Sequence, residues 1–328
     1  MIKIGVMGAG HLGRIHLKLI KEIKDYDLIG FCDPNDANAK KAMDDLGVKR
    51  FDDMNVMLNE VDAIDIVTTT LAHFECAEKA IRKGRHVFIE KPLTNTLEEG
   101  RQLIELAKEM KVKGMVGHVE RFNPAFLAVQ NEDLRPMFIE VHRLAQFNPR
   151  GTDVPVVLDL MIHDIDVILH VVKSKVKKVS ASGVAVISSS PDIANARIEF
   201  ENGCVANLTA SRISLKQMRK MRMFQKDAYI SIDFLEKKSE IVRLSDARDT
   251  NNPFSMELNL GPNVAPKVIN FHRPEIYPIN SIKMELELFL ESIVQDKEPP
   301  VTLLDGYNAM DVAHQVMDKI EKMSAITQ

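Results

Sequence analysis

Apolar positions along the chain follow two rhythms. Up to about residue 120, short apolar runs alternate with amphipathic stretches; the runs are 2–7, 27–32, 63–68, 86–90 and 113–117. They are rich in Val and Ile and apolar on both faces, as in parallel strands covered by helices. Between them, residues 12–23 place Leu12, Ile15, Leu19, Ile20 and Ile23 on one stripe, and 97–110 do the same with Leu97, Leu103, Leu106, Ala107 and Met110. Such stripes predict helices. Strand and helix in alternation predict an α/β fold with a doubly wound parallel sheet and right-handed crossovers.

Beyond residue 120 the period shortens to two. Alternating stretches cover 136–145, 177–188, 193–200, 203–213 and 227–235. Ala206, Leu208 and Ala210 against Asn207, Thr209 and Ser211 is the half-buried antiparallel pattern. Residues 201–203 form a tight turn, and helices are expected at 158–172, 280–294 and 306–323. Residues 248–278 lack periodicity and read as a long loop. The second half is therefore an α+β domain with a large, open, mostly antiparallel sheet. Once one face is covered by helices, Val184, Val186, Ala206, Leu208 or their alternates remain, which predicts a homodimer or homotetramer built through that sheet.

Composition narrows the partners. Lys plus Arg is 43 and Asp plus Glu is 47 in 328 residues, a net charge of −4 that argues against a dedicated nucleic-acid or anionic-membrane surface. No apolar run approaches the roughly 20 residues of a membrane-spanning helix. The first apolar run starts at Ile2 and leads straight into a glycine turn, so no signal peptide is expected. Cys32, Cys76 and Cys204 sit in apolar stretches without metal-ligand spacing and read as reduced thiols of a cytoplasmic protein.

Three motifs carry chemistry. Gly8-Ala9-Gly10-His11-Leu12-Gly13 follows a strand and opens a helix. Gly8 permits the tight turn, Gly10 the approach of a pyrophosphate, and Gly13 the packing of helix on strand, while free N–H groups face the anion. The second strand ends at Asp33, whose carboxylate suits ribose hydroxyls and repels a 2′-phosphate, so NAD is favoured over NADP. Glu90-Lys91-Pro92 follows the run 86–90, at the sheet edge where ligands bind. A lysine there can stabilise a substrate alkoxide, and a cis bond at Pro92 would aim it. Asp159 and His163 lie four apart on a predicted helix, an imidazole able to take a hydroxyl proton beside a carboxylate. Asp164 and Asp166 flank them and read as solvated or capping. No metal is expected, since the spacing completes no zinc motif.

With Thr68-Thr69-Thr70 and His73, the stretch 84–92 and Asp159-xxx-His163 added in this order, the chain resembles the Gfo/Idh/MocA oxidoreductases over nearly its whole length. The resemblance implies an NAD(P)-binding Rossmann domain (1–120) and a substrate-binding and oligomerisation domain (121–328). It implies hydride transfer between nicotinamide and a secondary alcohol of a sugar derivative, with Lys91, Asp159 and His163 catalytic. The cofactor-binding set is Gly8, Gly10, His11, Leu12, Gly13, Asp33, Thr69, Thr70, His73, Glu90 and Lys91. Val119 and Met161 stand where the family often has Asn and Gly, which bears on the substrate. Residues 117–124 and 153–166 are similar to the nucleotide-sugar branch, UDP-N-acetylglucosamine 3-dehydrogenases in particular. A diphosphate needs cationic donors, and Arg121, Asn123 and Arg150 are the expected substrate-binding residues, with Arg143, Arg212, Arg219 and Arg222 as further candidates. The alternatives are a dehydrogenase of inositol, a free sugar or a diol, and a cofactor-binding regulator without turnover.

Overall fold

The structure is a computed structural model and describes residues 1–148, 154–245, 255–259, 261 and 267–326. The chain forms two compact units, Met1–Phe122 with Asn280–Asp311, and Asn123–Ile279 with Val312–Gln328. A single cut near residue 120 therefore leaves out one feature: residues 280–311 return to the first unit.

In the first unit the order is β1 (Ile2–Met7), α1 (His11–Glu22), β2 (Tyr26–Cys32), α2 (Asp36–Leu46), α3 (Met54–Glu60), β3 (Ala63–Ile66), α4 (Thr70–Arg82), β4 (His86–Glu90), α5 (Leu97–Met110) and β5 (Gly114–Gly117). The strands form one parallel sheet in the order β2-β1-β3-β4-β5. The chain reverses direction across the sheet between β1 and β3, which makes the ends of those strands the binding edge. β3 is buried at all four positions, as a strand covered on both faces must be. Helix ends follow local chemistry: Thr96 and Glu99 form a capping box on α5, and Asn35 caps α2 through the Asn38 N–H.

The second unit contains α6 (Pro124–Leu127), β6 (Phe138–Leu144), a π-helical turn (Val157–Met161), α7 (Ile162–Val172), β7 (Val176–Val184), β8 (Ile193–Phe200), β9 (Val205–Ser211), β10 (Met218–Phe224), β11 (Ala228–Asp233), β12 (Lys238–Ser245), β13 (Ser255–Leu258) and β14 (Lys267–His272). Two helices follow: α8 (Ser281–Val294) belongs to the first unit, and α9 (Leu303–Ile326) runs from the first into the second. The sheet has nine strands in the order β13-β14-β12-β11-β10-β6-β9-β8-β7. Only β6 and β9 pair in parallel among these neighbours.

Register builds this unit's core. Val141 pairs with Met221 on one side and Leu208 on the other, Leu208 with Ala196, and Met221 with Ile232. All five are buried. The alternate positions are polar: Asn195, Arg197, Asn207, Thr209, Glu140 and Arg222. This corrects the reason given for assembly, because Ala206 and Leu208 lie on the covered face. Val184 and Val186 are exposed, at the end of β7 and just beyond it. The expected loop 248–278 is also corrected, since its described parts include β13 and β14.

Candidate active site

The glycine turn between β1 and α1 is shaped by two close backbone approaches and one open space. Gly8 has φ +98°, and a Cβ on it would come within 2.6 Å of the Val67 carbonyl oxygen. A Cβ on Gly13 would come within 2.2 Å of the Gly8 oxygen. A Cβ on Gly10 would meet nothing within 4 Å. Gly8 and Gly13 are thus demanded by folding, and Gly10 leaves open space from which a phosphate could reach the α1 N-terminus. His11 and Leu12 open α1 on its exposed side.

Asp33, directly after β2, holds this turn. Its Oδ2 accepts the Ala9 N–H at 2.6 Å and its Oδ1 accepts the Asn35 N–H at 2.7 Å. Each carboxylate oxygen has a second acceptor site, so capacity remains for ribose hydroxyls. An arginine does stand nearby, from beyond α2. Arg50 donates to the Asp33 carbonyl oxygen at 3.0 Å while pairing with Asp36 at 2.8 Å. The open Gly10 and the residual capacity of Asp33 fit a dinucleotide.

Thr69 and Thr70 begin α4 after β3, beside the same edge of the sheet. His73, one turn further, is buried between two loops: Nδ1 lies 2.9 Å from the Pro92 oxygen and Nε2 3.2 Å from the Thr68 oxygen. Burial is the largest influence on its pKa and lowers it, against the pull of these carbonyls. His73 therefore ties the threonine loop to the segment carrying Lys91. The Lys91-Pro92 bond is cis, and Lys91 is half-buried.

Glu90 faces inward. Its carboxylate packs over Gly117 on β5, where a Cβ would lie 2.8 Å from Oε1. Oε2 accepts the Lys91 N–H at 3.2 Å. Behind it, His16 of α1 is fully buried, with Nδ1 2.9 Å from Asp65 Oδ2 and Nε2 3.4 Å from Glu90 Oε1. Glu285 of α8 completes this cluster. Sequence reasoning missed it, although an aspartate inside the apolar run 63–68 and a histidine inside a helix were signals.

In the second unit Asp159 and His163 straddle the change from π-helix to α-helix. The Ile162 N–H reaches the Val157 oxygen, five residues back, so the expected regular helix is wound wider here. Such π turns concentrate at functional sites. Asp159 and His163 are both half-buried. The flanking acids are not solvated, which corrects that expectation. Asp164 and Asp166 are buried, and Asp164 accepts two bonds from Arg143, each 2.8 Å. This commits Arg143, one of the candidate diphosphate donors, to Asp164. Arg212 is likewise buried, donating to the Val154 oxygen at 2.6 Å.

Of the expected substrate residues, Arg121 is buried 3.5 Å from Asp305. The Asn123 side chain accepts the Ala125 N–H and donates to the Phe234 oxygen, capping α6. Arg150 lies outside the described residues.

Residues 2–118 match the model of an oxidoreductase family with an NAD-binding Rossmann fold, and 104–229 match the GFO/IDH/MocA C-terminal domain. The chain belongs to the Gfo/Idh/MocA oxidoreductase family. It is 40% identical over 235 residues to UDP-N-acetylglucosamine 3-dehydrogenase of Acidithiobacillus ferrooxidans, covering 71% of this chain and 74% of that one. It is 30% identical over 234 residues to scyllo-inositol 2-dehydrogenase (NAD(+)) of Bacillus subtilis, covering 65% and 68%. A solved structure of the Acidithiobacillus enzyme superposes with a TM-score of 0.88 over 98% of both chains, at 33% identity. Scyllo-inositol dehydrogenase from Lactobacillus casei shares the fold, with a TM-score of 0.77 at 22% identity over 98% of this chain and 97% of that one. Among the described residues no helix is long and apolar enough to cross a membrane.

Proposed function

We propose that this family member oxidises the 3-hydroxyl of a UDP-N-acetylhexosamine, with NAD preferred over NADP. The observation that carries the reading is the full-length likeness to the Acidithiobacillus enzyme. The likeness in sequence to the inositol dehydrogenase supports the alternative substrate, a cyclitol. The glycine turn and Asp33 hold the dinucleotide, with Thr69 and Thr70 beside it. When bound, the nicotinamide supplies the hydride acceptor. His163 takes the hydroxyl proton, Lys91 stabilises the developing alkoxide, and Asp159 orients a hydroxyl or the imidazole. Arg121 and Arg150 are the proposed diphosphate donors; Asn123, already used in capping α6, contributes through the shape of that segment. The reading places the protein in the cytoplasm, as a homodimer or homotetramer built through its nine-stranded sheet on the strength of the family resemblance. A monomeric mass by light scattering would remove the oligomer.

The test is NADH formation with UDP-N-acetylglucosamine, free N-acetylglucosamine, inositols and simple diols. The expected outcome is turnover of the nucleotide sugar with far poorer use of the free sugar. Equal rates on both would remove the diphosphate site, and a binder that turns over none would be a regulator. Lys91→Ala or His163→Ala should lower kcat by about a hundredfold or more, with NAD affinity nearly intact. Asp33→Ala should relax the preference for NAD on the order of tenfold, because the repulsion of a 2′-phosphate goes and Arg50 stays.

A further inference from the structure

The cluster behind Lys91 carries more ionisable groups than a dry interior tolerates. Asp65 and Glu285 are fully buried, as is His16, and Glu90 is nearly so. Ligating atoms of His16, Glu90 and Glu285 lie within 4.8 Å of one another. Among the described residues, neither Glu285 oxygen has a hydrogen-bond partner. Phe88 and Phe289 wall the space, with His16 6.0 Å from Phe88 and the two phenyl rings 5.8 Å apart. Tyr26 also reaches this region from β2, its hydroxyl donating to the Leu286 oxygen at 3.0 Å.

Three carboxylates and a neutral imidazole would bring three negative charges into this space, which burial forbids. Two protons relieve it. One goes to His16, whose ring nitrogens face Asp65 and Glu90, and one to Glu285, which among the described residues makes no ion pair. Burial alone would lower the His16 pKa, yet the Asp65 and Glu90 carboxylates raise it well above 6.5. Burial and the Glu90 charge raise that of Glu285 well above its ordinary value. Burial pushes Glu90 up, and the His16 and Lys91 charges outweigh it and bring it below 4.5. The cluster then has one net negative charge, matched by the Lys91 ammonium.

We propose that His16 is a positioning residue for Lys91: as an imidazolium held by Asp65, it keeps Glu90 ionised, and that carboxylate anchors the Lys91 backbone and balances the lysine's charge. This rests on Lys91 being catalytic, as proposed above. Glu285 and Asp65 set how many protons the cluster holds. His73 fixes the following segment through the Pro92 oxygen, and His16 acts on the residue before it.

The experiment compares the wild type with His16→Gln, Glu90→Gln and the double variant, each followed from pH 5.5 to 9.5. His16→Gln is expected to lower kcat about tenfold with NAD affinity within twofold, and to move the acid limb of the kcat profile upward by a pH unit or more. The double variant should be no slower than Glu90→Gln, because His16 acts through Glu90. In 15N-histidine spectra of the wild type, one signal absent from His16→Gln should keep both ring nitrogens protonated at pH 8. A neutral imidazole at pH 8, an unmoved pH profile with only a lower Tm, or losses that multiply in the double variant would each overturn the proposal. So would a stoichiometric divalent metal in the purified protein whose removal reproduces His16→Gln. Full activity of Lys91→Ala would instead sink the role of Lys91, while the protonation of His16 would still be read independently from the spectra.

Discussion

The two sheets place their chemistry by different means. In the parallel sheet the inner strands are buried on both faces, and the candidate residues sit where backbone leaves a strand end: the glycine turn after β1, Asp33 after β2, Lys91 after β4. In the nine-stranded sheet one face is apolar and the other polar, and what matters is which side chain meets which across the register. β6 shows it: Ile139 and Val141 join the core, and the next inward residue is Arg143, which finds Asp164. The first kind of site is governed by space that only glycine leaves open, the second by pairs that neither partner can do without. Substitutions should therefore fail differently in the two regions.

The largest effect is expected from breaking a pair. Arg143 and Asp164 are 4% and 3% exposed in their side chains. Arg143→Ala takes two bonds away from a buried carboxylate and should cost about 3–5 kcal/mol, measured by denaturant unfolding. Asp164 follows His163 directly, so kcat should fall as well. Replacing both partners, as in Arg143→Met with Asp164→Leu, should recover most of the stability, because apolar groups of similar volume need no partner. A single variant as stable as the wild type would show that Asp164 does not depend on Arg143, and the comparison between regions would lose its second half.

The glycine turn sharpens the other half. Gly13→Ala drives a methyl group against the Gly8 carbonyl, backbone that cannot move aside, and should cost about 1–3 kcal/mol together with cofactor binding. Gly10→Ala enters open space at φ −61°, which any residue adopts, so stability should stay within about 0.5 kcal/mol. NAD affinity should still fall on the order of tenfold, since the methyl occupies the phosphate approach. Thermal shifts with and without NAD separate the two. If Gly10→Ala bound NAD as well as the wild type, the open space would not be the cofactor's.

What was legible in the residues follows the same division. Five strands, the glycine turn and the segment 97–110 announced themselves through local composition, and the structure has them. β10 did not: its Met-Arg-Lys-Met-Arg-Met-Phe lacks β-branched residues, and only pairing between β6 and β11 makes it a strand. The wide turn ahead of α7 has no marker in Val-Leu-Asp-Leu-Met, since a helical period reads the same with five-residue bonds. Arg143 looked like a cation awaiting a diphosphate because its partner lies 21 residues away. Glu285 lies inside the helix expected at 280–294 with nothing in its neighbours to single it out, and only the fold brings it to His16. Residue types that satisfy themselves locally can be read from sequence; those that depend on a distant partner cannot.

A change of a single proton tests whether a buried group of the first region also lives by its partners. In the folded chain burial, the Glu90 charge and that of Asp65 hold Glu285 protonated well above 4.5, with His16 opposing. Unfolded, it ionises near its ordinary value. Between those limits the native state holds one proton more than the unfolded state. Stability from this group is therefore complete below pH 4.5 and is lost as pH rises, by up to about 1.4 kcal/mol per pH unit. Glu285→Gln keeps the shape and cannot ionise, so it removes this slope. Its Tm should be close to that of the wild type at pH 4.5, and its advantage should widen steadily towards pH 8. Asp65 and His16, whose pKa values are also raised, lose stability in the same direction and leave a shallower slope in the variant. A Tm difference that stays constant across this range would mean that Glu285 carries its charge in the fold, and some cation would then have to sit beside it.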